Sequence, residues 1–186
     1  MTRSIEGSPA PDFSLPNVGV GPDPYGPADA AADHDALLLL FQRDYFCGNC
    51  RRQVAAVADR YDEFRAAGAE VASVLPESVD RTRDWQGVVD LPYPVLADPG
   101  GETGDAYDQP TRFGALGNLF DLVGRMPLAV VLDLRGDPAV AAAFPGRRPA
   151  DRPPVDDLLA ACRRATGREG AGDATPDDAD GGDERA

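Results

Sequence analysis

The sequence predicts an α/β layer sandwich, and three observations carry that expectation. Short apolar runs of strand length alternate with segments of helical period along the chain. The run Ala36 to Phe41 is apolar at every position, as in a strand buried on both faces. Directly after it the period turns helical, across a pair of cysteines separated by two residues, Cys47 and Cys50. With 186 residues, 42% of them hydrophobic, the chain has room for one domain of ordinary size and a real core.

Taken in order, Ser8 to Gly21 reads as a turn-rich N-terminal stretch, with Pro9, Pro11 and Pro16 around a short extended piece from Phe13 to Leu15. Gly19 to Asp35 is rich in Gly, Pro, Ala and Asp and reads as a loop. From Cys50 to Ala67, Val54, Val57, Ala58, Tyr61 and Phe64 recur at helical spacing, and Gly68 follows as a C-terminal stop. Glu70 to Leu75 is the next strand, ended by Pro76. Val79 to Val89 is a helix with Trp85 as its apolar anchor. Tyr93 to Ala97 is extended, Asp98 to Gly101 is a turn, and Thr103 to Tyr107 forms a short helix. Arg112 to Arg125, apolar in patches with three glycines, is left without an element, as a mobile insertion. Leu128 to Leu134 is a strand, Ala139 to Phe144 its hairpin partner across Arg135-Gly136-Asp137, and Val155 to Thr166 a terminal helix ended by Gly167. Beyond that, apolar periodicity stops, so the expected division is a domain over 1–167 and a disordered acidic tail over 168–186.

Charge narrows the function classes. The formal net charge is −14, and all 18 basic residues are arginine. Such a surface repels nucleic-acid phosphates, so neither DNA nor RNA is an expected partner. The longest aliphatic run, Leu37 to Leu40, is far too short to cross a bilayer, so no membrane role is expected. Met1 to Pro11 lacks the apolar stretch of a secretory signal, which makes the cytoplasm the default location. An Arg-only, Asp-rich composition resembles that of cytoplasmic proteins of salt-loving archaea. A high-GC genome is the bland source of the same arginine bias.

Three cysteines in an acidic chain do not make a disulfide scaffold, but two of them bear the spacing of a redox pair. A buried strand runs through a short loop into a helix that Cys47 and Cys50 open. Residues three apart share a helix face and lie within disulfide reach. The free N–H groups and dipole of a helix N-terminus stabilise a thiolate, the nucleophile of disulfide exchange and of peroxide attack. Arg43, Arg51 and Arg52 add positive charge around the pair. Competing uses are a structural zinc site on Cys47, Cys50, Cys162 and His34, for which no second short-spaced pair exists, and an inert buried dithiol. Cys162 reads as a core residue of the last helix, with resolution of Cys50 as the alternative. His34 reads as a surface residue of a polar loop.

Three further segments bear a family resemblance. Gly7-Ser-Pro-Ala-Pro-Asp-Phe-Ser-Leu-Pro16, Leu91-Pro-Tyr-Pro-Val-Leu-Ala-Asp-Pro99 with Gly104 to Tyr107, and Leu128-Ala-Val-Val-Leu-Asp-Leu-Arg-Gly136 occur in the order seen in the redoxin superfamily. The chain resembles its AhpC/TSA peroxiredoxin-like branch. The resemblance implies a thioredoxin-like three-layer sandwich with a central mixed β-sheet flanked by helices. Peroxiredoxins carry Pro-x-x-x-Thr-x-x-Cys around the peroxidatic thiol. Placed here, Arg43 takes the Pro position, Cys47 the Thr position and Cys50 the peroxidatic position. The family's catalytic arginine falls near Pro127, where Arg125 lies two residues earlier. Met126-Pro127 also matches the cis-proline that faces the dithiol in thioredoxin-like oxidoreductases.

The resulting expectation is a thiol-dependent oxidoreductase in which Cys47 and Cys50 are catalytic, with Arg43, Arg51, Arg125 and Pro127 supporting them. It implies no metal and no bound cofactor. The substrate is a disulfide, attacked by Cys47, or a hydroperoxide, attacked by Cys50. A thioredoxin-like or small-thiol reductant restores the dithiol, and assembly as a homodimer is left open. The alternative of a different class is a non-enzymatic redox sensor or binding module switched by the same disulfide.

Overall fold

A computed structural model describes residues 5–111 and 124–168. The segment 112–123 and the tail from 169 lie outside the described residues, and with them nearly all of the proposed insertion and acidic tail. The element order is α1 (Pro27–Ala31), β1 (Ala36–Phe41), α2 (Gly48–Ala58), α3 (Tyr61–Ala66), β2 (Ala69–Leu75), α4 (Val79–Val89), β3 (Val95–Ala97), α5 (Glu102–Ala106), β4 (Leu128–Asp133), β5 (Ala139–Pro145) and α6 (Val155–Thr166).

The sheet has five strands in the order β3-β2-β1-β4-β5. β1 pairs parallel with β2 and antiparallel with β4, so the sheet is mixed and β1 is its centre. Being central explains why all six residues of β1 are buried and apolar. Alternation then divides them between two cores. Leu38 and Leu40 face a cluster with Val54 and Val57 of α2, Phe64 of α3, Trp85 of α4, and Leu158 and Cys162 of α6. Leu37, Leu39 and Phe41 face a second cluster with Ala30 of α1, Tyr107 after α5, and Phe13 and Leu15 of the N-terminal stretch. Helices therefore cover both faces, in the three layers expected.

Two elements differ from the sequence reading. The single helix over 50–67 is two helices, interrupted at Arg60 (φ −119°, ψ 19°). No glycine or proline marks the break. Val57 and Phe64, on either side of it, reach the same core, so the apolar period runs through undisturbed. Arg60 uses the break to bind both Glu63 oxygens, at 2.7 and 2.9 Å, and Asp156 of α6 at 2.6 Å. The expected loop over 19–35 contains α1, a single turn started by Pro27, with Gly26 N–H bonded to the Asp29 carboxylate at 2.9 Å. At the other end, Gly167 closes α6 at φ +71°, and the Arg168 guanidinium returns to Asp35 at 3.1 Å.

Candidate active site

β1 delivers the chain through a loop at Gln42 to Phe46 into α2, and the two cysteines sit at that junction. Cys47 is the N-cap of α2, with extended backbone (φ −65°, ψ 97°), and its Sγ accepts the Cys50 N–H at 3.2 Å. Cys50 lies in the first turn. The pair is joined as a disulfide, with Cα atoms 5.2 Å apart. Cys47 retains 6% exposure and Cys50 none, so an incoming sulfur or thiolate reaches Cys47 first. The sequence placed both cysteines within the helix start. The structure separates their roles, one capping and reachable, the other buried.

The nearest charge to the sulfurs is a residue the sequence did not single out. Arg152 Nη2 donates to Cys50 Sγ at 3.0 Å and to Cys47 Sγ at 3.5 Å. Its Nη1 donates to the carbonyls of Pro149 and Asp151, at 3.2 and 2.8 Å, while its Nε is buried without a partner. Burial and the like charge of Arg43 push its pKa down to about 10, so it stays cationic at neutral pH. A half-buried, incompletely bonded cation held against two sulfurs is an arrangement that favours thiolates. Asn49 of α2 donates to Pro149 O at 3.4 Å, which ties the loop carrying Arg152 to the dithiol helix. About 100 residues separate Arg152 from the pair, and nothing in Asp151-Arg152-Pro153-Pro154 marks it locally as a site residue.

Of the four residues expected to support the pair, the three arginines direct their donors to other partners, and Pro127 offers only a carbonyl acceptor. Arg43 Nε donates to Arg125 O at 3.0 Å, and Arg51 Nη2 donates to Tyr45 O at 3.1 Å, shaping the loop before Cys47. Arg125 is buried, and its guanidinium binds Asp105 at 2.8 Å, Gly100 O at 3.2 Å and Gln109 Oε1 at 3.3 Å. Gly101 lies directly against that guanidinium, where any Cβ would collide with it. Pro127 heads β4 and accepts the Gly146 N–H at 2.8 Å, but its peptide bond is trans. The cis-proline expectation is therefore corrected: Pro127 sits where its missing N–H costs no ladder bond, and that needs no cis geometry. Gln109, also not anticipated, donates from Nε2 to Gln42 O at 3.1 Å and Met126 O at 2.8 Å. It ties the dithiol loop to the head of β4.

The remaining candidates stand apart. His34 is not a free surface residue: α1 folds it onto the start of β2, where Nε2 meets Glu70 at 3.4 Å with the side chain only 10% exposed. Cys162 is fully buried in the α6 core, and burial pushes its thiol up to about 12. With Cys47 bonded to Cys50, Cys162 in the core and His34 on Glu70, the four residues of the zinc alternative do not converge.

A mixed sheet with helices on both faces and a Cys-x-x-Cys disulfide at the first helix after the central strand define a thioredoxin-fold thiol protein. The chain belongs to the AhpC/TSA family, whose profile matches residues 7–123. It is 39% identical over 78 residues to the selenocysteine-containing peroxiredoxin PrxU of Peptoclostridium acidaminophilum, a match spanning 38% of this chain and 38% of that protein. Its fold is similar to that of peroxidoxin BcpB from Mycobacterium tuberculosis, at 21% identity and a TM-score of 0.70 over 87% of this chain and 98% of that one. It is also similar to the bacterioferritin comigratory protein of Xanthomonas campestris, at 18% identity and a TM-score of 0.65 over 83% and 92% of the two chains.

Proposed function

We propose that this chain is a thiol-dependent oxidoreductase that cycles Cys47 and Cys50 between dithiol and disulfide, with Cys47 as the attacking thiol in disulfide exchange. The observation that carries this reading is the junction itself. Cys47 caps α2, accepts a backbone N–H, lies within reach of Arg152 and is the more exposed of the two sulfurs. In the forward half-reaction the Cys47 thiolate attacks one sulfur of a substrate disulfide and expels the other as thiolate. Cys50 then attacks Cys47 Sγ, releasing the second substrate sulfur. Arg152 touches both enzyme sulfurs and so lowers the cost of negative charge on whichever carries it.

Hydroperoxide reduction is the second reading. It is favoured by AhpC/TSA membership, by the likeness to the peroxiredoxin PrxU, and by the 3.0 Å contact of Arg152 with Cys50, the sulfur at the family's peroxidatic position. There the Cys50 thiolate attacks one peroxide oxygen, the O–O bond breaks and the other oxygen leaves as water or an alcohol; Cys47 then condenses with the Cys50 sulfenic acid, releasing water and forming the disulfide. Stopped-flow traces of wild type, Cys47→Ser and Cys50→Ser against hydrogen peroxide and a model disulfide separate the two. Loss of the fast phase with the disulfide in Cys47→Ser alone supports exchange led by Cys47. A fast peroxide phase surviving in Cys47→Ser and absent in Cys50→Ser supports the peroxidase. The acidic, lysine-free composition supports a salt-adapted cytoplasmic protein. Among the described residues no helix is long and apolar enough to cross a membrane.

A further inference from the structure

The polar residues gathered at the far end of β1 take no part in the dithiol chemistry, and they line a cavity of about 590 Å³. Small-molecule pockets run from about 300 to 1,000 Å³. His34 stands before β1 and Glu70 at the start of β2, whereas Cys47 follows the other end of β1. The six strand residues between them span about 20 Å, so the cavity and the dithiol are separate sites.

One wall of the cavity is a closed hydrogen-bonded set. Glu70, with 8% of its side chain exposed, accepts the Tyr61 hydroxyl at 2.6 Å and the Val71 N–H at 2.8 Å on one oxygen. His34 Nε2 and Arg65 Nη1 each meet its other oxygen at 3.4 Å. Both basic side chains of the lining therefore face a carboxylate of the wall itself.

Three polar groups of the same lining are not so engaged. Tyr25 is 4% exposed, and its hydroxyl bonds no atom among the described residues. Burial raises its ionisation, and so do the nearby Glu70, Tyr61 and Asp29, which sets the hydroxyl among the polar groups of the cavity and keeps it protonated. Asp29 gives one carboxylate oxygen to the Gly26 N–H at 2.9 Å, and the Asp33 carboxylate accepts no hydrogen bond among the described residues. Both carboxylates are exposed and Tyr25 is buried, so the cavity offers an acidic rim over an inner oxygen acceptor. A buried hydroxyl without a partner is a group that a ligand satisfies at a gain.

Charge decides the class of ligand. Asp29, Asp33 and Glu70 outnumber Arg65 and His34, so the lining is net negative whether or not His34 carries a proton. Among the described residues no three His, Cys, Asp or Glu side chains are placed to hold a metal ion. Volume and charge together fit an organic cation with more than one N–H donor. We infer that this cavity binds a small aliphatic diamine or polyamine. Its ammonium groups donate to the Asp29 and Asp33 carboxylates and to the Tyr25 hydroxyl oxygen, and its methylene chain lies against Pro94 and Tyr61. No step of the dithiol cycle depends on this site.

The test titrates the full-length chain with putrescine by calorimetry, at about 0.1 M potassium chloride or the lowest salt where circular dichroism shows the chain folded. Saturable binding of one putrescine per chain is expected. Tyr25→Phe, which removes a single buried oxygen, should weaken it about tenfold, as loss of a hydrogen bond to a charged group does. Asp29→Asn with Asp33→Asn should weaken it about fivefold, the smaller effect of exposed ion pairs. Any acidic surface attracts cations, so Asp84→Asn with Asp157→Asn removes the same charge from exposed helix positions outside the cavity. That control should change the affinity by less than about twofold. Amide NMR shifts on adding putrescine are expected in α1 and at the start of β2. No saturable binding, equal affinities of Tyr25→Phe and wild type, or equal losses in the two Asp pairs would overturn the site. So would a shift map spread over the surface or centred on the dithiol loop. If the Asp29/Asp33 double variant does not fold, Tyr25→Phe and the shift map decide by themselves.

Discussion

Replacing Arg152 by Met isolates the charge that the structure sets against the dithiol. The substitution keeps an unbranched stem as far as the position of Nε and removes the guanidinium, with its Nη2 contacts at 3.0 Å to Cys50 and 3.5 Å to Cys47. A hydrogen bond to a charged group contributes about 1.5–3 kcal/mol, which is about ten- to a hundredfold in thiolate fraction at a pH below the ionisation midpoint. The more basic thiolate of the variant is also the better nucleophile. A Brønsted slope of about 0.4–0.5 returns nearly half of that logarithmic loss, leaving a net fall of about three- to tenfold at neutral pH. Stability should change by no more than about 1 kcal/mol. The two carbonyl bonds of Nη1 are lost, but so is a half-buried cation whose Nε has no partner. The assay is the pH profile of iodoacetamide alkylation of the reduced protein, with a thermal melt on the same sample. The variant's profile is displaced to higher pH, and its plateau equals or exceeds that of wild type. Superimposable profiles would refute the role given to Arg152, as would a rate loss at every pH that tracks a fall in Tm.

Further expectations concern the whole fold. Cys162, whose ionisation burial raises from its ordinary 9.0 to about 12, keeps its proton in the folded state and loses it sooner in the unfolded chain. Its contribution is therefore complete below about 9 and lost as pH rises towards 12, and urea melts of wild type should weaken over that window more steeply than those of Cys162→Ala. Equal slopes would show that Cys162 ionises without opposition. The −14 charge should make Tm rise between about 0.1 and 2 M potassium chloride as repulsion is screened, and an unchanged midpoint would detach the acidic surface from salt adaptation. Phe64→Ala, at a fully buried position that couples α3 to β1 and α6, should cost about 3–5 kcal/mol in a denaturant titration. A cost under about 1 kcal/mol would contradict the packing described.

The centre of the sheet was legible in the sequence because β1 is buried along its whole length and reads as an unbroken apolar run, while β2, equally buried, is apolar except at Glu70 and Ser73 and stops before Pro76. Likewise α4 was marked by Trp85 as its apolar anchor and α6 by its apolar face and Gly167 as its stop, and the structure adds Ser78 as the N-cap of α4. The break at Arg60 was not legible, since neither a glycine nor a change of apolar period accompanies it. At the site, Cys47 and Cys50 were found because their chemistry is local in sequence. Arg152 and Gln109 were missed because they act through contacts 102 and 67 residues away in the chain, and long-range convergence leaves no spacing to read. Arg125 was placed at the right strand end, but the turn at Gly100 and Gly101 takes up its guanidinium, which no pattern in the chain announces.

The central claim is that Cys47 and Cys50 form a catalytic couple, and turnover with mass-mapped products tests it most directly. The full-length chain is given reductant and an excess of a disulfide or hydroperoxide substrate, and reductant consumption is counted against enzyme while peptide mapping follows each cysteine. The account predicts many turnovers per chain, a Cys47–Cys50 disulfide as the accumulating oxidised form, Cys162 still a free thiol, and no sustained consumption in the Cys47→Ser with Cys50→Ser variant. Oxidation that stops after one equivalent, or a Cys50–Cys162 bond as the oxidised form, would contradict it.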